Sequence, residues 1–414
     1  MSNFMEFGVL PELVAVLDAA GIRSPTPVQR LAIPAFLHGK SAVAVARTGS
    51  GKTLAYAVPL VQRIKAVEET DGQATVPARP RAVVLTSTRE LVTQTTKVVK
   101  TLTHAARLRV RAVAGGESGH DTNITLRQVM DILVANPPRL ARLVADGQVD
   151  LTDVRILVVD EADTLLSPGQ RGPVEAIVAA ASTALPWWMS ATLPEPIRHW
   201  LSTRPEKPAL LLSKDAHTAP ESLQVKNIPV KASARADAAS DLLVSIGPKA
   251  RGIIFANRRE TADIAAVALK ERGHDVVVVH GGLLPRERQK AIKGFVAGVG
   301  RVLVTTELAG RGLDLSDLAF VLNWELPERA SDYMHRIGRV GRMGRQGRVF
   351  NLVTDRDRHL LAEVERLAAG GKLDTGEALR SARTRKTTTA EGIRSAAARR
   401  AKPPAGTVGG KTFE

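Results

Sequence analysis

The chain has 414 residues, 44% of them hydrophobic, so it is too long for one ordinary domain and too apolar for wholesale disorder. Its formal net charge of +16 points to a polyanionic partner, most often nucleic acid, and the absence of cysteine excludes disulfide frameworks and cysteine-based zinc sites. The opening MSNFMEFGVLPEL has no basic segment followed by an apolar one, and no apolar run reaches the ~18 residues of a membrane span, so a soluble cytoplasmic chain with no membrane contact is expected.

Short runs rich in Val, Ile and Leu recur, each followed by a longer helix-like segment. They are SAVAVA (41–46), RAVVLT (81–86), DILVA (131–135), RILVVD (155–160) and PWWMSAT (186–192), then RGIIFAN (251–257), DVVVVHG (275–281), RVLVTT (301–306), AFVLNW (319–324) and RVFNLV (348–353). Continuous apolar character suits strands buried on both faces, so the pattern predicts two α/β domains, each a mostly parallel sheet flanked by helices. The polar SKDAHTAPES (213–222) reads as a linker between residues 1–212 and 223–369. Residues 370–414 turn to Gly, Thr, Ala, Arg and Pro and read as a basic flexible tail, for which a nonspecific RNA tether and a plain solvated end are both open.

ARTGSGKT (46–53) lies between a strand and a helix-like segment, the context of a phosphate loop. Gly49 and Gly51 let backbone amides turn toward phosphates, Lys52 reaches the outer phosphates, and the Thr53 hydroxyl can ligate Mg²⁺; Ala46, Arg47, Thr48 and Ser50 complete the loop. VVDEAD (158–163) ends a buried strand in two carboxylates. Asp160 is placed to hold Mg²⁺ and Glu161 to orient and deprotonate an attacking water.

With these two pieces the chain resembles the DEAD-box ATP-dependent RNA helicases, which have two tandem RecA-like domains, and the resemblance runs from about Phe4 to Val353. GIRSPTPVQ (21–29) is similar to the Q motif, with Phe4 as its upstream aromatic, and STRELV (87–92) to the pattern PTRELA. AGG (114–116), NPPRL (136–140), SAT (190–192), IIFAN, HGG with Arg288, TTELAGRGLD (305–314) and HRIGRVGR (335–342) follow in the family's order.

The resemblance implies ATP and Mg²⁺ as cofactors and a split ATP site, with Gln29 reading adenine. It implies Arg339 and Arg342 as arginine fingers, and Gly312 and Asp314 near the ribose and γ-phosphate. Asp163, Ser190, Thr192 and His335 would couple nucleotide state to RNA, and Arg89, Gly116, Arg139, Arg288 and Thr306 would grip its backbone without reading sequence. It also implies RNP or ribosome-assembly partners and a monomer.

The chain departs from the family at several positions: Ile22 replaces an aromatic, Arg47 a Gln, Asn136 and Pro138 the Thr and Gly of TPGR, Pro285 a Gln, and Glu307 an Asp. The hydrolytic residues are intact. The expected activity is RNA-stimulated ATP hydrolysis coupled to local, non-processive unwinding or RNP remodelling. An ATP-dependent RNA clamp with weak unwinding and a DNA translocase of a related helicase group are the alternatives.

Overall fold

The computed structural model describes residues 4–116, 119–214, 216, 223–310, 315, 318–341, 346–357 and 360–362. Among these residues thirteen strands run in chain order. They are β1 (Ala42–Val45), β2 (Ala82–Leu85), β3 (Val110–Val113), β4 (Ile132–Ala135), β5 (Ile156–Val159), β6 (Leu185–Ser190) and β7 (Ala209–Leu212), followed by β8 (Leu223–Pro229), β9 (Gly252–Ala256), β10 (Val276–Val279), β11 (Val302–Thr306), β12 (Phe320–Asn323) and β13 (Gly347–Val353). They form a seven-stranded sheet, β3-β4-β2-β5-β6-β1-β7, and a six-stranded sheet, β10-β11-β9-β12-β13-β8. Every pairing between these strands is parallel. This is the tandem two-sheet α/β architecture expected from alternating apolar runs and helical segments.

Each central strand feeds both faces of its sheet. Trp187 and Trp188 are adjacent in β6 and fully buried, yet they belong to opposite cores, as the two-residue period of a strand dictates. Trp187 stacks on Phe36 with centroids 4.3 Å apart, while Trp188 meets Trp200 edge-on at 5.5 Å.

Three strands lie outside the apolar runs read from the sequence, and all are edges. β3 carries Arg111 in its middle, β8 alternates polar and apolar residues, and β7 leaves Leu210 and Leu212 about half exposed. An edge strand has a paired neighbour on one side only, so its sequence can lose the continuous apolar signature, as in β3 and β8, while the edges β7 (ALLL) and β10 (VVVV) keep it. Of the linker read at 213–222, Ser213, Lys214 and Ala216 are described; the tail read at 370–414 lies outside the described residues. Among the described residues no helix is long and apolar enough to cross a membrane.

Strand order brings the motifs together. β5, β6 and β1 are neighbours, so the segments leaving their carboxyl ends (160–163, 190–192 and 46–53) meet along one edge of the first sheet. Parallel sheets place ligand sites there because every strand then delivers its following loop to the same edge.

Candidate active site

The phosphate loop leaves β1 with the Ala46 amide donating to the Ser190 carbonyl at 3.0 Å, and it closes on the helix Lys52–Asp71. Gly49 and Gly51 adopt the left-handed region (φ 79° and 89°) that side-chain-bearing residues avoid. Gly51 is doubly constrained, since a Cβ there would lie 2.6 Å from Gln29 Nε2. Gln29 is buried; its Nε2 donates to the Gly51 carbonyl at 3.1 Å and its Oε1 accepts from the Thr26 amide at 2.9 Å. The glutamine expected to read adenine therefore also fastens the helix Pro27–Leu37 to the loop. Lys52 Nζ donates to the carbonyls of Ala46 (2.7 Å) and Arg47 (3.1 Å), so the lysine lies along the cradle. Phe4 is fully buried in the first core, and Ile22 packs on the same cluster.

Asp160 and Glu161 follow β5. Asp160 is 6% exposed; its Oδ2 accepts from the Tyr56 hydroxyl at 3.1 Å and its Oδ1 from the Glu161 amide at 2.9 Å. Burial, and then the Glu161 charge beside it, push the Asp160 carboxyl up to about 6, with Lys52 pulling the other way. Tyr56 is itself held well above its ordinary value by burial and by the Asp160 charge, so it remains a donor. Glu161 takes a left-handed conformation (φ 54°, ψ 45°), uncommon for a residue with a side chain, and the Ser87 hydroxyl donates to its Oε2. Tyr56 is a contact that motif reading misses. Its only sequence signal is a hydroxyl one helical turn beyond Thr53 in an otherwise apolar helix face.

Asp163 is the junction between the two sheets. Its Oδ2 accepts from the Thr192 amide and hydroxyl, both at 2.9 Å, and stands 3.4 Å from His335 Nε2. Ser190 Oγ accepts from the Asp163 amide at 3.1 Å and donates to the Thr192 carbonyl at 2.5 Å. All four residues expected to couple the sites are thus joined, with the His335 and Asp163 side chains 4% and 5% exposed. The other ring nitrogen of His335 is 3.4 Å from Thr48 Oγ1 of the phosphate loop. A Cβ on Gly338 would come within 2.9 Å of Thr48 Cβ, so the segment bearing Arg339 lies directly against the loop.

Arg339 is 6% exposed and follows the helix Ala330–Ile337. Ahead of it, Arg336 is buried. It donates to Glu307 Oε2 (2.8 Å), Asn323 Oδ1 (3.0 Å), the Glu325 carbonyl (2.7 Å) and Asn257 Oδ1 (2.7 Å). Asn323 passes the chain to Asn351 and Asn351 to Asn227, each at 2.7 Å, across the in-register strands β12, β13 and β8. Glu307, the longer replacement for an Asp, is what reaches the Arg336 guanidinium. Arg342, Gly312 and Asp314 lie outside the described residues.

The expected RNA residues of the first sheet form one cluster. Arg89 donates to the Gly116 carbonyl at 3.3 Å, and Arg139 to Thr122 Oγ1 at 3.0 Å. Asn136 Oδ1 accepts from the Gly115 amide at 2.8 Å, a structural use for the Asn that replaces Thr. Pro137 and Pro138 occupy the first turn of the helix Pro137–Ala145, where a missing N–H costs no internal helix bond. From the second sheet, Thr306 is half-buried at the end of β11, and Arg288 Nη2 donates across to Glu90 Oε2 at 3.1 Å.

A phosphate loop, an adjacent carboxylate pair and a second sheet whose His335 and Gly338 lie against that loop define the class: a two-sheet P-loop ATPase. Family models agree, the DEAD/DEAH box helicase model matching residues 26–200 and the helicase conserved C-terminal domain residues 234–344. The RNA helicase CrhR of Synechocystis is 34% identical over 367 residues, covering 88% of this chain and 72% of its own length. The ATP-dependent RNA helicase DbpA of Bacillus subtilis is 30% identical over 366 residues (88% and 74%). In fold, the chain is similar to S. cerevisiae Dbp5 bound to RNA and ADP BeF3, with a TM-score of 0.77 at 24% identity over 94% of this chain and 99% of that one. Mss116p bound to ssRNA and AMP-PNP also matches with a TM-score of 0.77 at 24% identity (89% and 77%). The chain belongs to the DEAD-box family of ATP-dependent RNA helicases.

Proposed function

We propose that the protein couples RNA-stimulated ATP hydrolysis to local, non-processive opening of short RNA duplexes or to remodelling of RNA–protein complexes. It would act as a cytoplasmic monomer with RNP or ribosome-assembly partners. The observation that carries this is the junction at Asp163, where the carboxylate after β5 meets Thr192 of the first sheet and His335 of the second. Hydrolysis that depends on bringing two sheets together is hydrolysis that a ligand spanning both can stimulate.

In this reading domains 1–212 and 223–369 close on ATP. Gln29 faces the base, residues 46–53 wrap the phosphates, and Lys52 moves from the loop carbonyls to the outer phosphates. Glu161 accepts the proton of the attacking water as its oxygen bonds to the γ-phosphorus and the bond to the bridging oxygen breaks toward ADP. Arg339, with Arg342, offsets charge spreading over the phosphoryl oxygens. The Thr53 hydroxyl and the Asp160 carboxylate fit Mg²⁺, an ion that takes one or two protein carboxylates and keeps its remaining sites for water and phosphate. Among the described residues no group of three or more His, Cys, Asp or Glu could hold a metal by itself, which agrees with a substrate-completed site. Bound there, the ion would neutralise phosphate charge. RNA would lie along Arg89, Gly116, Arg139, Arg288 and Thr306.

Turnover of ATP by the purified chain with and without RNA tests this. Stimulated turnover is expected, and turnover no greater than that of Glu161→Gln would sink it. Pro138, in the first turn of the helix Pro137–Ala145, favours the clamp as second reading together with the departures at Asn136 and Pro285, since it stands where TPGR has Gly and removes an N–H that could meet an RNA phosphate. ATPase and RNA binding without displacement of a short tailed duplex would select the clamp.

A further inference from the structure

The carboxylate cast above as the general base is held by a side chain to which that mechanism assigns nothing. β2 and β5 are neighbours with Leu85 opposite Val159, and the Asp160 amide extends the pairing to the Leu85 carbonyl at 2.9 Å. Two residues past each of those partners stand Ser87 and Glu161, so sheet register sets them side by side, and the Ser87 hydroxyl donates to Glu161 Oε2.

Both frames are rigid. Ahead of Ser87, the Thr86 amide donates to the Ala135 carbonyl at 3.0 Å; behind it, Thr88 caps the helix Arg89–Ala105, its Oγ1 accepting from the Leu91 amide at 3.2 Å. The Glu161 backbone is pinned through its amide to Asp160 Oδ1 and through its carbonyl, which accepts from the Thr164 and Leu165 amides at 2.9 and 3.0 Å. What remains loose in a glutamate so held is its three-torsion side chain, and the Ser87 contact removes that freedom. Glu161 Oε1 takes no hydrogen bond among the described residues. The PTRELA pattern that this stretch resembles begins with Pro, which has no hydroxyl and could not make the contact.

We propose that Ser87 is a positioning residue for hydrolysis: its hydroxyl fixes Glu161 Oε2, so that Oε1 is presented to the attacking water. The role rests on the ATPase reading and changes none of its steps. The proton still passes from water to Glu161 as the γ-phosphorus–oxygen bond forms and the bridging bond breaks. Because Ser87 acts on the base and not on the nucleotide, its removal slows the chemical step and leaves binding alone.

The test compares wild type, Ser87→Ala, Ser87→Thr and Glu161→Gln in RNA-stimulated ATPase, with ATP KM, RNA affinity and melting temperature measured on each. Wild-type turnover no greater than that of Glu161→Gln would refute the ATPase reading itself, independently of Ser87. Given that activity, Ser87→Ala is expected to lower kcat roughly tenfold with KM, RNA affinity and melting temperature unchanged. Ser87→Thr, which keeps the hydroxyl, should restore kcat to within about twofold. A Ser87→Ala kcat at or above the wild-type value, a loss shared with KM or with stability, or a Thr variant as slow as Ala would overturn the proposal.

Discussion

Arg288, on the helix Pro285–Val296, donates to Glu90, on the helix Arg89–Ala105, at 3.1 Å, with the two side chains 23% and 19% exposed. The pair ties the second sheet's layer to the first through a residue expected to hold RNA. Ion pairs that solvent still reaches contribute on the order of 1 kcal/mol or less, so a phosphate can compete for the guanidinium. Arg288→Ala should weaken RNA binding about tenfold, as the loss of one phosphate contact does. Glu90→Gln, which releases Arg288, should strengthen nucleotide-free binding about threefold. Fluorescence anisotropy with a short single-stranded RNA measures both; equal weakening by both would make the pair a clasp between the sheets and not a competitor of RNA.

Gly338 is the point where the segment bearing Arg339 has no room for a side chain. Its φ of −65° suits any residue, so the requirement is purely one of approach: a Cβ would meet Thr48 Cβ at 2.9 Å and the Met334 carbonyl at 3.2 Å. Gly338→Ala should push Arg339 back from the phosphate loop and cut RNA-stimulated kcat by roughly 10- to 100-fold, because displacements near 1 Å suffice for such losses. The melting temperature should change little. A variant with normal turnover would show that the segment moves away from Thr48 during the cycle.

Asp160 carries a pH signature. Its carboxyl titrates near 6 in the folded chain and near 3.8 when exposed, so between those values the native state holds the extra proton and stability falls as pH rises. The full effect is on the order of 3 kcal/mol at neutral pH. Asp160→Asn should therefore gain melting temperature relative to wild type as pH is raised from about 4.5 to 7. Thermal melts of the two proteins across that range check it, and a constant difference would refute it.

The amide chain Asn323–Asn351–Asn227 is oriented from one end. Arg336 can only donate, so Asn323 must present its oxygen to Arg336 and its NH₂ to Asn351, and Asn351 repeats the arrangement toward Asn227. Asn351→Leu leaves the buried Asn323 NH₂ without that acceptor, at a cost of about 2 kcal/mol. The expected outcome is a lower denaturation midpoint, with a lower kcat if Arg336 loses its setting. An unchanged midpoint would mean that the strands are held by their apolar contacts alone.

Much of this molecule was legible without coordinates, and the legible parts share a cause. Central strands are covered on both faces, so they must be continuously apolar, and among the described residues all nine central strands show it. Lys52, Thr53, Asp160 and Glu161 could be singled out because phosphate and metal chemistry demands particular residue types at short spacing, and each of two short segments, 46–53 and 158–163, meets that demand on its own. Edge strands such as β3 and β8 lack that signature because part of their surroundings is solvent.

Sequence by itself determined the two-sheet α/β plan through local periodicity, and its motifs, taken in order, carried the resemblance that gave the family and the residues expected at the ATP site. Tertiary structure alone decided which residues touch. Ser87 meets Glu161 through the register of two neighbouring strands, Tyr56 reaches Asp160 across 104 positions, and Asp163 meets His335 across the two sheets. Such contacts depend on how strands order and how sheets meet, and side chains that converge from distant positions leave no periodic trace along the chain.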